Sequence, residues 1–185
     1  MDDFDEKFIL GYAVASRLSA DEKIKYITDG LSKCSESVKV LMLPSLGIAY
    51  NQAERYNEAR ETFINAIKSY TVDNESLDTY EHLGYSYHKL GNVKLAIWAY
   101  EKALNGGKRG FCSDSNYSNL GVNYMKDNRI QDAIKIFEKG VERGCDIAHV
   151  NLEIAKLKLS PTTNIPSEEV MHAMLEIWKI KNGKK

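Results

Sequence analysis

Three segments of this chain align without gaps, and that self-similarity constrains the fold more than any other feature. The first reads Leu46-Gly47-Ile48-Ala49-Tyr50, then Ala59, Phe63 and Ala66. The second reads Leu83-Gly84-Tyr85-Ser86-Tyr87, then Ala96, Tyr100 and Ala103. The third reads Leu120-Gly121-Val122-Asn123-Tyr124, then Ala133, Phe137 and Gly140. Each Leu-Gly pair follows the last by 37 residues, and the tyrosine-to-alanine spacing is nine in all three. Leu, Gly and Tyr at i, i+1 and i+4 share one side of a helix. A glycine there costs about 1 kcal/mol relative to alanine, so a neighbouring helix is expected to pass too close for a side chain. The small, aromatic and small residues at i, i+4 and i+7 form a ridge on a second helix that fits against the first. Polar connections at residues 52–57, 89–92 and 126–128 are short enough to make each pair antiparallel.

These positions resemble the tetratricopeptide repeat, whose signature is Trp-x2-Leu-Gly-x2-Tyr, then Ala-x3-Phe, then Pro over about 34 residues. The match holds at Leu, Gly, Tyr, the first Ala and the aromatic in all three segments. It departs at the Trp place, filled by Leu43, Tyr80 and Tyr117, and at the closing Pro, filled by Thr71, Lys108 and Cys145. The longer period places the extra residues in the connections 71–76 and 105–113. The related Sel1-like repeat has a longer tyrosine-to-alanine spacing and fits less well. The resemblance implies an all-α fold, a right-handed α-solenoid of antiparallel helix pairs. About ten helices are expected in one domain spanning residues 1–185. The repeats lie at 40–73, 77–110 and 114–147, with a degenerate helix pair at 4–34 and a degenerate repeat with a capping helix at 148–181. In the first of these flanks, Ser19-Ala20-Asp21-Glu22 is a capping box. In the last, Ser167 opens a helix with Val170, Met171, Met174, Leu175 and Trp178 on one side, as a solenoid end requires.

Composition narrows the function classes. Glycine and proline together make fifteen of 185 residues, about 8%, against roughly 12% in average chains. That is too few for an all-β protein full of tight turns. Lys and Arg number 25 against 26 Asp and Glu, a balance without the basic excess that draws nucleic acid or anionic lipid. The acidic start, Met1-Asp2-Asp3-Phe4-Asp5-Glu6, lacks the basic character of a secretory signal. The longest apolar run, Val40 to Leu43, stops at Pro44, far short of the ~18 residues that span a bilayer. Three scattered cysteines, Cys34, Cys112 and Cys145, make no disulfide framework. The expectation is a cytoplasmic protein with no nucleic-acid or membrane partner.

No catalytic constellation stands out, and no enzyme is expected. Cys145 and His149 at i, i+4 are half of a zinc site with no second half at ligand spacing, so no metal and no cofactor are expected. The stretch Gly106-Gly107-Lys108-Arg109-Gly110 lacks the order of a phosphate loop and follows a helix C-terminus, where the dipole repels anions. The tyrosines fall mostly on repeat-core positions, which core packing explains.

The resemblance implies instead a groove lined by the first helix of each pair. In that family positions 2, 5, 9 and 12 of the helix face the groove, and a helical wheel agrees, centring them about 130° from the packing positions at 100° per residue. On this chain the lining is Leu41, Pro44, Ile48 and Asn51, then Asp78, Glu81, Tyr85 and His88, then Ser115, Ser118, Val122 and Met125. Chaperone-binding members of the family clamp a C-terminal carboxylate with Lys, Arg and Asn. The corresponding places here hold Pro44, Ile48, His82, Ser115 and Asn119, so that activity is not expected. Pro44 either begins its helix or kinks it. The function expected is a protein-interaction module or adaptor that takes a partner peptide or helix in this groove. The alternative is an assembly or secretion chaperone for one client. Open terminal faces also leave room for a weak homodimer.

Overall fold

The computed structural model describes residues 3–14, 17–70, 76–106, 113–159 and 172. The helices are α1 (Asp3–Val14), α2 (Ala20–Leu31), α3 (Glu36–Gln52), α4 (Tyr56–Lys68), α5 (Leu77–Lys89), α6 (Val93–Gly106), α7 (Ser115–Lys126), α8 (Ile130–Glu142) and α9 (Asp146–Leu159). Among the described residues there are nine helices and no strand, an all-α fold. The capping helix expected from Ser167 lies outside the described residues, His172 excepted. No described helix is long and apolar enough to cross a membrane. The chain forms two compact units, residues 1–92 with α1–α5 and residues 93–185 with α6–α9.

In the first unit α3 packs against α2 and α4, and α4 packs against α5. Its core gathers Phe8, Ile24, Ile27, Cys34, Val38, Met42, Leu46 and Ala49, and Phe63 on α4 is fully buried. Val38, Met42, Leu46 and Ala49 recur every three or four residues, so one stripe of α3 faces this core. In the second unit α7 packs against α6, α8 and α9. There Leu120, Ala133 and Phe137 are fully buried.

The repeat glycines show why the two helices of a pair meet where they do. A Cβ added to Gly47 would lie 2.5 Å from Cε1 of Phe63, and one added to Gly121 would collide with the Phe137 ring. The close neighbour is thus the aromatic side chain of the second helix, seated on bare backbone of the first. The first pair inverts this arrangement, with the Phe8 ring of α1 seated on Gly30 of α2.

Local chemistry sets the helix ends. Ser19 caps α2: the Glu22 N–H donates to its hydroxyl (3.3 Å), and its own N–H donates to the Glu22 carboxylate (2.8 Å). The bonds from Ser19 hold the Glu22 carboxyl below its usual range. The buried Asp5 of α1 accepts the Ser35 N–H (3.0 Å) and the Ser35 hydroxyl (2.5 Å), and Ser35 is the N-cap of α3. At the far ends, Glu54, Gly91, Asn128 and Gly144 take positive φ of 58°, 73°, 61° and 82°. The next N–H in each case donates five residues back: Arg55 to Tyr50, Asn92 to Tyr87, Arg129 to Tyr124 and Cys145 to Gly140. These are Schellman closures, in which one left-handed residue ends the helix. Of the two options for Pro44, a helix start is excluded, because Pro44 lies inside α3.

Gly121→Ala is expected to destabilise the protein. Forcing a methyl against a fully buried ring costs about 1–3 kcal/mol, while alanine regains about 1 kcal/mol of helix propensity. Urea denaturation measures the loss. In a Phe137→Leu background, where the ring is gone, the same substitution should cost little or stabilise. An equal penalty in both backgrounds would show that the ring is not what the glycine accommodates.

Candidate interaction surface

The stripe that α3 buries leaves Val40, Leu41, Pro44 and Ile48 on its other sides. Leu41 is 59% exposed, while Val40, Pro44 and Ile48 are half-buried. On α5, Asp78 is exposed and Tyr85 and His88 are half-buried; on α7, Ser115 is exposed and Val122 and Met125 are half-buried. These residues of the expected lining are reachable within their own units.

Three others of that lining are buried. Asn51, 8% exposed, spans from α3 to α5: its Nδ2 donates to the His82 carbonyl (3.2 Å), and the Ser86 hydroxyl donates to its Oδ1 (2.9 Å). In the second unit Ser118 of α7 accepts from Asn151 Nδ2 of α9 (2.7 Å), and Ser118 is 4% exposed. Glu81 is also buried, at 2%. A wheel places Asn51 and Ser118 toward the open side of their own helices but does not show that α5 and α9 reach them. Asn51 and Ser118 therefore act as struts between consecutive first helices.

Beside the exposed Leu41 lies a cleft of about 510 Å³, lined by Ser37, Val40, Leu41, Pro44, Tyr70 and Ser76. None of these side chains carries a charge. The Tyr70 and Thr79 hydroxyls are 2.6 Å apart, which fixes the phenol that closes one side. Close by, Lys39 is paired with Glu36 at 3.0 Å. A smaller cleft of about 260 Å³ lies at α1 and α2, where Phe4, Phe8 and Tyr26 meet Lys7, Asp29 and Lys33.

Aromatic and charged residues brace these faces. Tyr56 meets Tyr85 edge-on at 6.3 Å, and the Lys89 ammonium sits 5.5 Å and 5.8 Å from the two ring centres. Tyr85 and Tyr56 raise the pKa of Lys89 above its usual value. His82, expected as a counterpart of a clamp residue, instead stacks on Phe63 at 5.9 Å with 14° between the rings. Burial lowers its pKa, with Glu81 and Asp78 pulling weakly the other way.

Sequence reasoning missed a paired clasp. Arg55 lies 4.7 Å over the Tyr50 ring and bonds Glu58 at 2.9 Å; Arg129 lies 4.3 Å over the Tyr124 ring and bonds Asp132 at 2.9 Å. The signal was present as Tyr, then Arg at +5 and an acid at +8, but its Arg and acid lie outside the compared helix positions. In the second unit the Tyr124 hydroxyl also donates to Glu101 (2.8 Å), and burial followed by this bond raises the tyrosine pKa. Cys145 is buried and free, and His149 stands one turn further along, half-buried. Among the described residues no three His, Cys, Asp or Glu side chains group as metal ligands.

The tetratricopeptide-repeat profile matches residues 77–105 and 115–143. These two segments are tetratricopeptide repeats. Solved structures with the same fold include MamA from Desulfovibrio magneticus RS-1, 17% identical, covering 100% of this chain and 99% of that one with a TM-score of 0.73. A MamA double mutant is 18% identical over 100% and 99% of the two chains, with a TM-score of 0.75. YrrB, a tetratricopeptide protein with an unusual peptide-binding site, is 18% identical over 96% and 86%, with a TM-score of 0.68. At these identities the likeness is one of fold. No curated protein sequence matches the chain significantly. Within the matched repeat 77–105, His82 stands one residue before the Leu83-Gly84 pair, which places it at the helix contact.

Because burial keeps His82 neutral in the folded state, the stability it contributes is present above about pH 6.5, its ordinary value, and is lost as pH falls from there through the lowered folded value. Thermal melts from about pH 7 to about pH 5 should show a falling Tm. His82→Phe, which keeps a flat ring on Phe63, should flatten that fall. Equal slopes for the two proteins would place the acid sensitivity elsewhere.

Proposed function

We propose that this chain is a non-enzymatic protein-interaction module that holds a peptide or helix of a partner protein on the faces of its first helices. The observation that carries the reading is the cleft of about 510 Å³ beside the exposed Leu41, which carries no charge among its described lining residues. A lone exposed leucine is ordinary surface. A leucine on the rim of an apolar cleft is the composition of a docking anchor. Ile48, Tyr85, His88 and Asp78 continue the face in the first unit, and Ser115, Val122 and Met125 form the corresponding face in the second. Asn51, Glu81 and Ser118 belong to the support beneath it. The peptide-binding site of YrrB supports the reading as an analogy of fold.

A protein partner in the cytoplasm fits best, since the lining has no cation excess for nucleic acid. Selection on such a surface works by shape and apolar contact, with few residues carrying the energy. The test is the doubly substituted Ile48→Asp, Tyr85→Ala protein. A partner is first identified by capture from the native host and mass spectrometry, then purified. Its affinity for the variant should drop at least about tenfold while circular dichroism and Tm stay near wild type. A folded variant that binds the purified partner unchanged would remove this face from the proposal.

A further inference from the structure

The second helices of the three repeats turn matching positions outward, and α6 differs there from α4 and α8. On α6 the residues Ala96, Ile97, Ala99, Tyr100 and Ala103 are buried, so the opposite arc carries Lys94, Leu95, Trp98 and Lys102. Leu95 is 46% exposed and Trp98 is 50% exposed. The repeat offset of 37 residues aligns Leu95 with Glu58 and Asp132, and Trp98 with Glu61 and Lys135. Charged side chains thus hold both places in α4 and α8, and Glu61 and Lys135 are exposed as Trp98 is. The repeat itself needs no apolar residue at either position. A single exposed apolar residue is ordinary surface. A leucine and a tryptophan one turn apart, where the same scaffold elsewhere carries charge, mark a contact surface. Tryptophan is also among the residues most enriched where binding energy concentrates.

The charges around the pair select the occupant. Lys94 and Lys102 stand one turn before and one turn after Trp98. The one carboxylate of α6, Glu101, accepts the Tyr124 hydroxyl at 2.8 Å and pairs with Arg129 at 3.2 Å. A second copy of α6 laid along the first, tryptophan on tryptophan, sets lysine against lysine in either direction. Anionic lipid is held by a cluster of four or more basic residues or by a long apolar helix face. Two lysines and two apolar side chains fall short of both. An extended strand needs a free backbone edge, and the interior N–H and C=O groups of α6 are bonded within the helix. Helices instead pack side chain against side chain.

We propose that the outward arc of α6 docks an acidic amphipathic helix of a partner protein. Its apolar side chains cover Leu95 and Trp98, and its carboxylates meet Lys94 and Lys102. The two lysines are eight residues apart, about 12 Å along the axis, so the partner's carboxylates stand at i and i+8 of one face. This surface belongs to a second helix and does not rest on the first-helix face proposed above.

The probe is a capped, fluorescein-labelled helical peptide with Glu at i and i+8 and Leu at i+1, i+4 and i+5, titrated against the full chain by fluorescence polarisation. One control peptide carries Lys for both Glu, and another carries Ser for the three Leu. The acidic apolar peptide should bind at least about tenfold more tightly than either control. Leu95→Asp, Trp98→Lys, which installs the residue types of α8, should weaken that binding at least about tenfold while Tm stays near wild type. Lys94→Glu, Lys102→Glu should move the preference to the Lys peptide. In Trp178→Phe, where Trp98 is the one tryptophan left, emission should shift to the blue as the acidic peptide binds. Absence of binding by the acidic peptide overturns the inference, as does unchanged binding in either double variant. Two further results overturn it by naming another occupant. One is sedimentation with phosphatidylcholine vesicles containing phosphatidylserine that Leu95→Asp, Trp98→Lys abolishes. The other is a dimer in analytical ultracentrifugation that the same variant dissociates. Ile48→Asp, Tyr85→Ala should bind the acidic peptide as the wild type does. If it releases the peptide, the peptide sits on the first-helix face, and the α6 surface fails while the earlier reading stands.

Discussion

The structure depends on an aromatic ring resting on a glycine. Phe63 covers Gly47, and Phe137 covers Gly121, each sixteen residues later in the chain. The glycine gives up about 1 kcal/mol of helix propensity, but removing a buried phenylalanine costs about 3–5 kcal/mol. The ring wins, and the close approach it needs fixes how the two helices cross. In the first pair the ring comes from α1 and the glycine from α2. The Tyr26 hydroxyl then fills the place next to Gly11 and donates to the Phe8 carbonyl at 3.1 Å. The same contact is thus made from either direction.

Once the helices of a pair are that close, the chain must reverse within a few residues. The positive φ at Glu54, Gly91 and Asn128 supplies the reversal. At two of these ends an arginine follows at once and lies over the tyrosine five residues earlier. The guanidinium covers the ring face and pairs with the acid of the next helix, so turn, aromatic and first turn of the second helix are tied together. In the turn after α5 the same place is Asn92, and the Schellman bond alone makes the closure.

The repeat was legible because packing of this kind demands particular residue types at fixed intervals. Leu46, Gly47, Tyr50, Ala59 and Phe63 are each required by a contact, so their spacing survives as a pattern. The matched residues 77–105 and 115–143 fall inside two of the segments read from spacing alone. The interaction face was legible only in part. A helical wheel fixes directions about one helix axis, which sufficed for Leu41 and Tyr85. It contains nothing about the next helix, and so could not show Asn51 reaching His82 and Ser86. Pro44 was ambiguous for a related reason. Proline chemistry says which hydrogen bond is lost, but whether the helix survives the loss depends on the core beneath, here Met42 and Leu46.

The contact between Asp5 and Ser35 ties two distant parts of the chain. A buried carboxylate on the first helix satisfies the opening N–H of α3, the helix whose middle carries Leu41 and Pro44. The position of the cleft wall is therefore anchored thirty-six residues upstream of Leu41 in sequence. Trimming that helix, or fusing a tag that unseats it, is an intervention in the interaction face as direct as a substitution within it. Any minimal fragment meant to retain the face has to begin before residue 5.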